Sequence, residues 1–309
     1  MAQINMQLVK ELRERTQAGL NDCKSALSEA EGDMDKAVEI ILKKGLAKSA
    51  KRAGAVAAEG LVLTRIASDK KSAVIVEVNI QTDFAARNED FLAFAGKVAE
   101  AATHAKNGAD LLLEPMPGGT GSIEDNRAAL VGRLGENITV RRWQRLSLDG
   151  AGLVTSYVHL GGKIAVILAL RGETQGAVDK SAEFAEGAAM QVAAMAPPFL
   201  KVSDVPEAER LAQASIFEAQ LIEEGKIPEA KRAQVVDGKV QKWAKEICLL
   251  EQPSVIDPKV TVEQQQEAAS KAAGGKVEIT GFVRFERGEG IELPQGLDFA
   301  AEVAKMAQG

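Results

Sequence analysis

The spacing of apolar residues along the chain switches between a helical and a strand period, and the switches divide it into units. From about Asn5 to Gly45 the pattern predicts three short helices. Leu8, Val9 and Leu12 mark the first, and Gly19 breaks it. Leu20, Cys23, Ala26 and Leu27 mark the second. Asp33 can cap a third that carries Ala37, Val38, Ile40 and Ile41, and Gly45 offers a left-handed terminal residue. So small a unit has a thin core and needs a neighbour. The following Lys43, Lys44, Lys48, Lys51 and Arg52 read as a solvated, alanine-rich basic linker.

Beyond Gly60 the strand period takes over. Val74 to Ile80 is dense in β-branched residues and predicts a strand buried on at least one face. A helix with Phe91, Phe94, Val98 and Ala101 follows, with Asn88 as its N-cap. The order then recurs: Gly60-Leu61-Val62, the Val74 strand and the Phe94 helix are echoed by Gly152-Leu153-Val154, the Ile164–Leu170 strand and a helix around Phe184. Each set leads to a third strand, Glu136–Val140 in one and Val277–Thr280 in the other. The expectation is an α+β protein with two related α+β subdomains. A glycine- and proline-rich stretch, residues 108–122, lacks the lysine-serine or lysine-threonine pair of a phosphate cradle and reads as a flexible connection. In the second copy, Ser203, Asp204 and Pro206 open a helix with Leu211, Ala214, Phe217 and Leu221, and Gly225-Lys226-Ile227-Pro228 interrupts it. Ala233, Val236, Val240, Trp243 and Ile247 then form a narrow seam, which predicts a protruding antiparallel helical hairpin at about 204–250. The expected division is 1–54 for the three helices and linker, 55–148 and 149–290 for the two subdomains, and 291–309 for a C-terminal helical module.

Composition narrows the function. A formal net charge of −6 argues against a general binder of nucleic acid or anionic membrane. The only two cysteines, Cys23 and Cys248, suit a reducing compartment, and neither shares metal-ligand spacing with a histidine. Lys10, Glu11, Arg13, Glu14 and Arg15 leave no apolar signal-peptide core, and the Ile164–Leu170 run is too short to span a bilayer. A soluble, cytoplasmic protein without cofactor or metal is expected. With His104 and His159 its only histidines, and no nucleophile or dinucleotide motif, binding is a better hypothesis than catalysis.

The stretch Gln81-Thr82-Asp83-Phe84-Ala85 carries the sharpest candidate. If Thr82 capped a longer helix, Phe84 would share a face with Phe91 and enter the core, with Asp83 favoured by the helix dipole. If Asn88-Glu89-Asp90 starts the helix instead, Thr82 to Arg87 is a separate turn presenting an aromatic ring. Pattern alone leaves both open. His159, at the tip of Tyr157-Val158-His159-Leu160-Gly161-Gly162, reads as an exposed turn residue.

Three segments carry a resemblance that covers essentially the whole chain. E-V-N-I-Q-T-D-F-A-A-R-N (Glu77–Asn88), L-V-K-E-L-R-E-R-T-Q-A-G-L-N-D-C-K-S-A-L (Leu8–Leu27) and G-F-V-R-F-E-R-G-E-G-I-E (Gly281–Glu292) resemble the bacterial elongation factor Ts family, the nucleotide exchange factors of elongation factor Tu. The resemblance implies an N-terminal unit like a ubiquitin-associated domain and a projecting coiled coil. It implies that Phe84 inserts between two helices of the Tu G domain, that Asp83 engages the adjacent backbone and side chains, and that Thr82 and Ala85 hold the wedge in shape. Magnesium and GDP would then leave, and GTP could load. Positions matching Lys10, Arg13, Leu20 and His159 are further partner contacts in that family. Gln17 stands where the family usually has glycine, and Asn21 where it usually has an apolar residue. Two rival classes remain beside this one: an adaptor gripping a ubiquitin-like partner through its three helices, and an enzyme with a cryptic site.

Overall fold

The computed structural model describes residues 6–16 and 18–292. The helix start at Asn5, the Gln17 position and residues 293–309 of the expected C-terminal module lie outside them. Helices α1 (Met6–Thr16), α2 (Leu20–Glu29) and α3 (Met34–Arg52) close around Val9, Leu12, Cys23, Ala26, Leu27 and Ala37. Asp33 caps α3 by accepting from the amides of Asp35 and Lys36.

Helix α3 does not stop at Gly45, and the basic stretch after it is no linker. It continues to Arg52 because helix α6 (Ile123–Leu134) crosses it there. A Cβ at Gly45 would lie 3.2 Å from the Ala128 carbonyl oxygen, so only glycine permits this approach without displacing α6. Arg127 donates to the buried Ser49 hydroxyl at 2.9 Å, fastening the crossing. The lysines turn back onto α2, Lys44 to Glu29 at 2.8 Å and Lys48 to Asp22 at 3.1 Å.

Two three-stranded antiparallel sheets follow, in order β1 (Glu59–Ile66), β2 (Ser72–Ile80), β3 (Ile138–Ser147), and β4 (Gly152–His159), β5 (Ile164–Gly172), β6 (Val277–Glu286). Strand period sends alternate side chains to opposite faces. Val74, Val76, Val78 and Ile80 of β2 pack with Phe91, Phe94 and Val98 of α5 (Glu89–His104) and Leu130 of α6. Ala73 and Ile75 point the other way, into a core shared with Ala165, Ile167 and Ala169 of β5. On the far side of β5, Val166, Leu168 and Leu170 meet Ala185, Ala189 and Val192 of α8 (Ala182–Met195) and Val262 of α11 (Val262–Ala273). The sheets thus lie face to face with helices outside both, an α+β arrangement in which β2 is buried on both faces.

Both third strands run longer than expected, and Glu136 with Asn137 precedes β3 rather than opening it. The extra strand length is rich in arginine, which hides strand character in a hydrophobicity pattern. Those guanidinium groups have partners: Arg145 donates to the Ala102 and Thr103 carbonyls at the end of α5. Helices α9 (Glu207–Glu224) and α10 (Glu229–Glu246) form the hairpin around left-handed Gly225. Leu221 and Val236 are buried in its seam, and Phe217, Val240 and Trp243 half-buried. Leu211 (60% exposed) and Ala233 depart from it. Two helices offer only one apolar layer, and these two positions lie outside it. Among the described residues no helix is long and apolar enough to cross a membrane.

Candidate functional site

The chain leaves β2 at Ile80 and is gripped at once. Thr82 donates from its amide and its hydroxyl to the two carboxylate oxygens of Glu136, at 3.0 and 2.7 Å. The Gln81 side chain accepts from the Asn137 amide at 2.7 Å. Thr82 also accepts from the Ala85 amide, capping the single turn α4 (Asp83–Ala86). Asn88 then accepts from the amides of Asp90 and Phe91 and starts α5 as a second helix. Two caps six residues apart prevent one continuous helix, so Phe84 cannot reach the face occupied by Phe91. Ala85 and Ala86 seat α4 on the core, and Phe84 points outward with 87% of its surface exposed. Asp83 and Arg87 pair at 3.3 Å in solvent.

The second component is the β4–β5 tip. His159 ends β4, and Leu160, Gly161 and Gly162 follow with φ of 48°, 64° and 95°. His159 is exposed at this end and Tyr157 half-buried against the second core, their rings stacked at 5.9 Å and the hydroxyl 3.1 Å from Nδ1. The tip is pinned to the first sheet because Val62 donates to the Gly162 carbonyl at 2.7 Å. One cleft results, with Asp83, Ala86 and Arg87 on one wall, Leu160 and Gly161 on the other, and Leu61 between them. The Thr82–Ala85 turn and the His159 tip, 75 residues apart in the chain, therefore share one side of the molecule.

Lys10 and Arg13 are exposed on α1 and line a separate groove with Asp90 of α5. Leu20 and Asn21 are exposed at the start of α2. His104 is exposed at the end of α5. Glu136 and Leu160 are the site residues that sequence reasoning missed. No local signal marks Glu136; for Leu160 the leucine in a Leu-Gly-Gly turn was a usable clue.

The two sheets that carry the cleft walls are also joined at Glu77, fully buried in β2. Its carboxylate accepts from Arg141 at 3.0 Å, Arg142 at 2.5 Å, Asn79 at 3.1 Å and the Gly288 amide at 2.7 Å. Burial works to raise its pKa, but the Gly288 amide, Arg142 and Asn79 outweigh burial and hold it below the usual glutamate range. Gly288 sits just beyond β6 with φ of 72°, and a Cβ there would come within 2.5 Å of the Ala58 carbonyl oxygen. The second sheet is thereby fastened to the first by a buried charge cluster.

Among the described residues no group of three or more histidine, cysteine, aspartate or glutamate side chains could hold a metal ion. Cys23 and Cys248 are buried free thiols; burial pushes both up, Cys248 to about 11. What the site offers is an exposed aromatic knob on a doubly capped turn, beside a pinned apolar tip. These are the features of a protein that works through contact with another macromolecule.

Residues 81–289 match the family described as Elongation factor TS, and the chain belongs to that family. Relatives named Elongation factor Ts are similar over nearly their whole length. That of Clostridium perfringens (strain SM101 / Type A) is 46% identical over 304 residues, 98% of this chain and 99% of the relative. Those of Clostridium botulinum (strain Alaska E43 / Type E3) and Clostridium tetani (strain Massachusetts / E88) are each 45% identical, over 98% of both chains and over 99% and 100% respectively. The chain is accordingly a factor of translation elongation.

Proposed function

We propose that this chain is the guanine-nucleotide exchange factor of elongation factor Tu, acting in the cytoplasm without covalent chemistry of its own. A GTPase holds GDP through backbone amides around the phosphates and a magnesium ion bridging them to side chains. A protein that binds the empty state better than the loaded state weakens the nucleotide by the same coupling free energy. In this reading Phe84 enters between two helices of the Tu G domain and Asp83 engages the adjacent backbone. Thr82 and Ala85 hold the turn, and His159 touches the same domain. Displaced helices disturb the magnesium site and then the phosphate loop, GDP leaves, and GTP can load. Lys10, Arg13 and Leu20 add contacts from the N-terminal unit, and the hairpin serves as a further arm.

The observation that carries this reading is the exposure of Phe84 on a turn whose conformation is already fixed. An exposed ring on a pre-formed support loses little conformational freedom on binding. Burying it contributes roughly 1.5–3 kcal/mol. A ten-thousand-fold acceleration of release requires about 5.5 kcal/mol at ~1.36 per decade. The wedge therefore supplies part of the effect and the other contacts the rest.

Phe84→Ala should leave the unfolding midpoint nearly unchanged and slow release of a fluorescent GDP analogue from Tu by about 10- to 100-fold. A core phenylalanine would instead cost about 3–5 kcal/mol of stability. A large drop in the midpoint, with exchange intact per folded molecule, would refute the wedge.

A further inference from the structure

We infer that Leu160 is a second apolar contact, seated from the opposite wall of the cleft on one of the two partner helices between which Phe84 enters; this rests on the exchange-factor reading above. Leu160 is 69% exposed and has φ of 48°, a conformation that leucine adopts only under strain. The two residues after it, also left-handed, are glycines, so the turn gains nothing locally from a leucine at its first position.

Nothing in the turn's own architecture requires that side chain. The tip is held by main-chain bonds: the amides of Gly162 and Lys163 donate to the His159 carbonyl, Val62 to the Gly162 carbonyl, and Arg287 to the Lys163 carbonyl at 2.8 Å. Glycine at position 160 would keep every one of them. The side chain faces the cleft whose other wall is Asp83, Ala86 and Arg87, on the turn from which Phe84 projects. A strained apolar side chain, unused by the tip's main-chain bonds and placed across the cleft from the turn that carries Phe84, is suited to a surface outside the molecule. Leu160 against Ala86 and Leu92, flanked by the Asp83–Arg87 and Glu59–Arg287 pairs, fits an amphipathic helix with a narrow apolar edge in the cleft and polar flanks on the charged pairs. Leu160 then fixes the depth and angle at which Phe84 enters.

The test uses the full chain, purified nucleotide-free Tu and three variants: Leu160→Gly, Leu160→Ala and Phe84→Ala. Leu160→Gly removes the strain and the side chain together, so the unfolding midpoint should stay within about 2 °C of the parent or rise. The dissociation constant for nucleotide-free Tu should weaken about 10-fold and GDP release should slow correspondingly. Leu160→Ala keeps the left-handed strain, and should weaken binding without raising the midpoint. Parent-like binding by Leu160→Gly, with Phe84→Ala impaired, would overturn this inference and leave the wedge standing. If Phe84→Ala also behaves as the parent, the wedge reading and this one fall together. A midpoint lowered enough to account for the lost binding would assign Leu160 to the fold and overturn the inference as well.

Discussion

Replacing Glu77 by glutamine tests whether a buried charge ties the two sheets together. Removing one partner of a buried ionic cluster costs about 3–5 kcal/mol when the remaining charge is stranded. Here the stranded groups are Arg141 and Arg142, whose side chains keep 25% and 31% exposure, so water takes up part of their charge. Glutamine also keeps one carbonyl oxygen for the Gly288 amide. The expected loss is therefore about 2–3 kcal/mol, with a fall in unfolding temperature of roughly 4–10 °C. The pH dependence follows from the depressed pKa. A carboxyl whose folded pKa lies below its ordinary value of 4.5 contributes stability that is complete above the unfolded pKa and is lost as pH falls through the folded one. The parent and Glu77→Gln should differ most near neutral pH and converge in acid. Urea unfolding of both, from neutral pH downward in steps, measures this. Equal midpoints at neutral pH, or a gap that widens on acidification, would refute the tie.

Glu136→Ala releases both bonds from Thr82 and should slow GDP release from Tu while costing at most about 1 kcal/mol of stability, because the turn is exposed. Faster hydrogen exchange at the Ala85 amide would accompany it, and unchanged exchange at that amide would count against the clamp. Cys248, buried with its pKa pushed up to about 11, should react with a disulfide reagent far more slowly in the folded chain than in denaturant. Two free thiols should titrate after unfolding. Deleting residues 207–246 should weaken exchange without abolishing it and leave cooperative unfolding intact. The hairpin seam packs mainly on itself, while the bonds from Leu249 to Phe199 and from Leu250 to Leu200 hold its base. Loss of cooperative unfolding would place the hairpin in the core.

What the sequence disclosed was local. β2 and the Asn88 cap were legible because β-branched density and capping chemistry act within a few residues. The hairpin was legible because its seam repeats. The readings that failed depend on distant partners. Gly45 looked like a helix stop, yet its missing side chain serves the crossing of α6, which a one-dimensional pattern does not contain. The basic run around it looked like a linker and belongs to α3 instead; its side chains are solvated as read, and Lys44 and Lys48 reach Glu29 and Asp22 a helix away. Phe84 was undecidable from periodicity: two caps, one anchored by Glu136 from 54 residues away, separate it from the Phe91 face. Glu77 and Gly288 occur in two of the segments that carry the resemblance, and the bond between them joins those segments in space. Their pattern was visible in the sequence, but their contact was not.

The bonds that complete the cleft have a consequence for synthesis. The wall bearing Phe84 is encoded early in the chain, the opposing tip near its middle, and Gly288, which ties the sheets through Glu77, lies 211 residues beyond its acceptor. While the chain is still emerging from a ribosome, the residues of the Phe84 turn precede both Glu136, which clamps them, and the tip that faces them. A product cut short before Gly288 can carry the Phe84 ring but lacks the bond that joins the end of β6 to Glu77 in the first sheet. In the exchange-factor reading, fragments released by premature termination are therefore expected to compete poorly with the full protein, because the bond from Gly288 to Glu77 is made only late in synthesis.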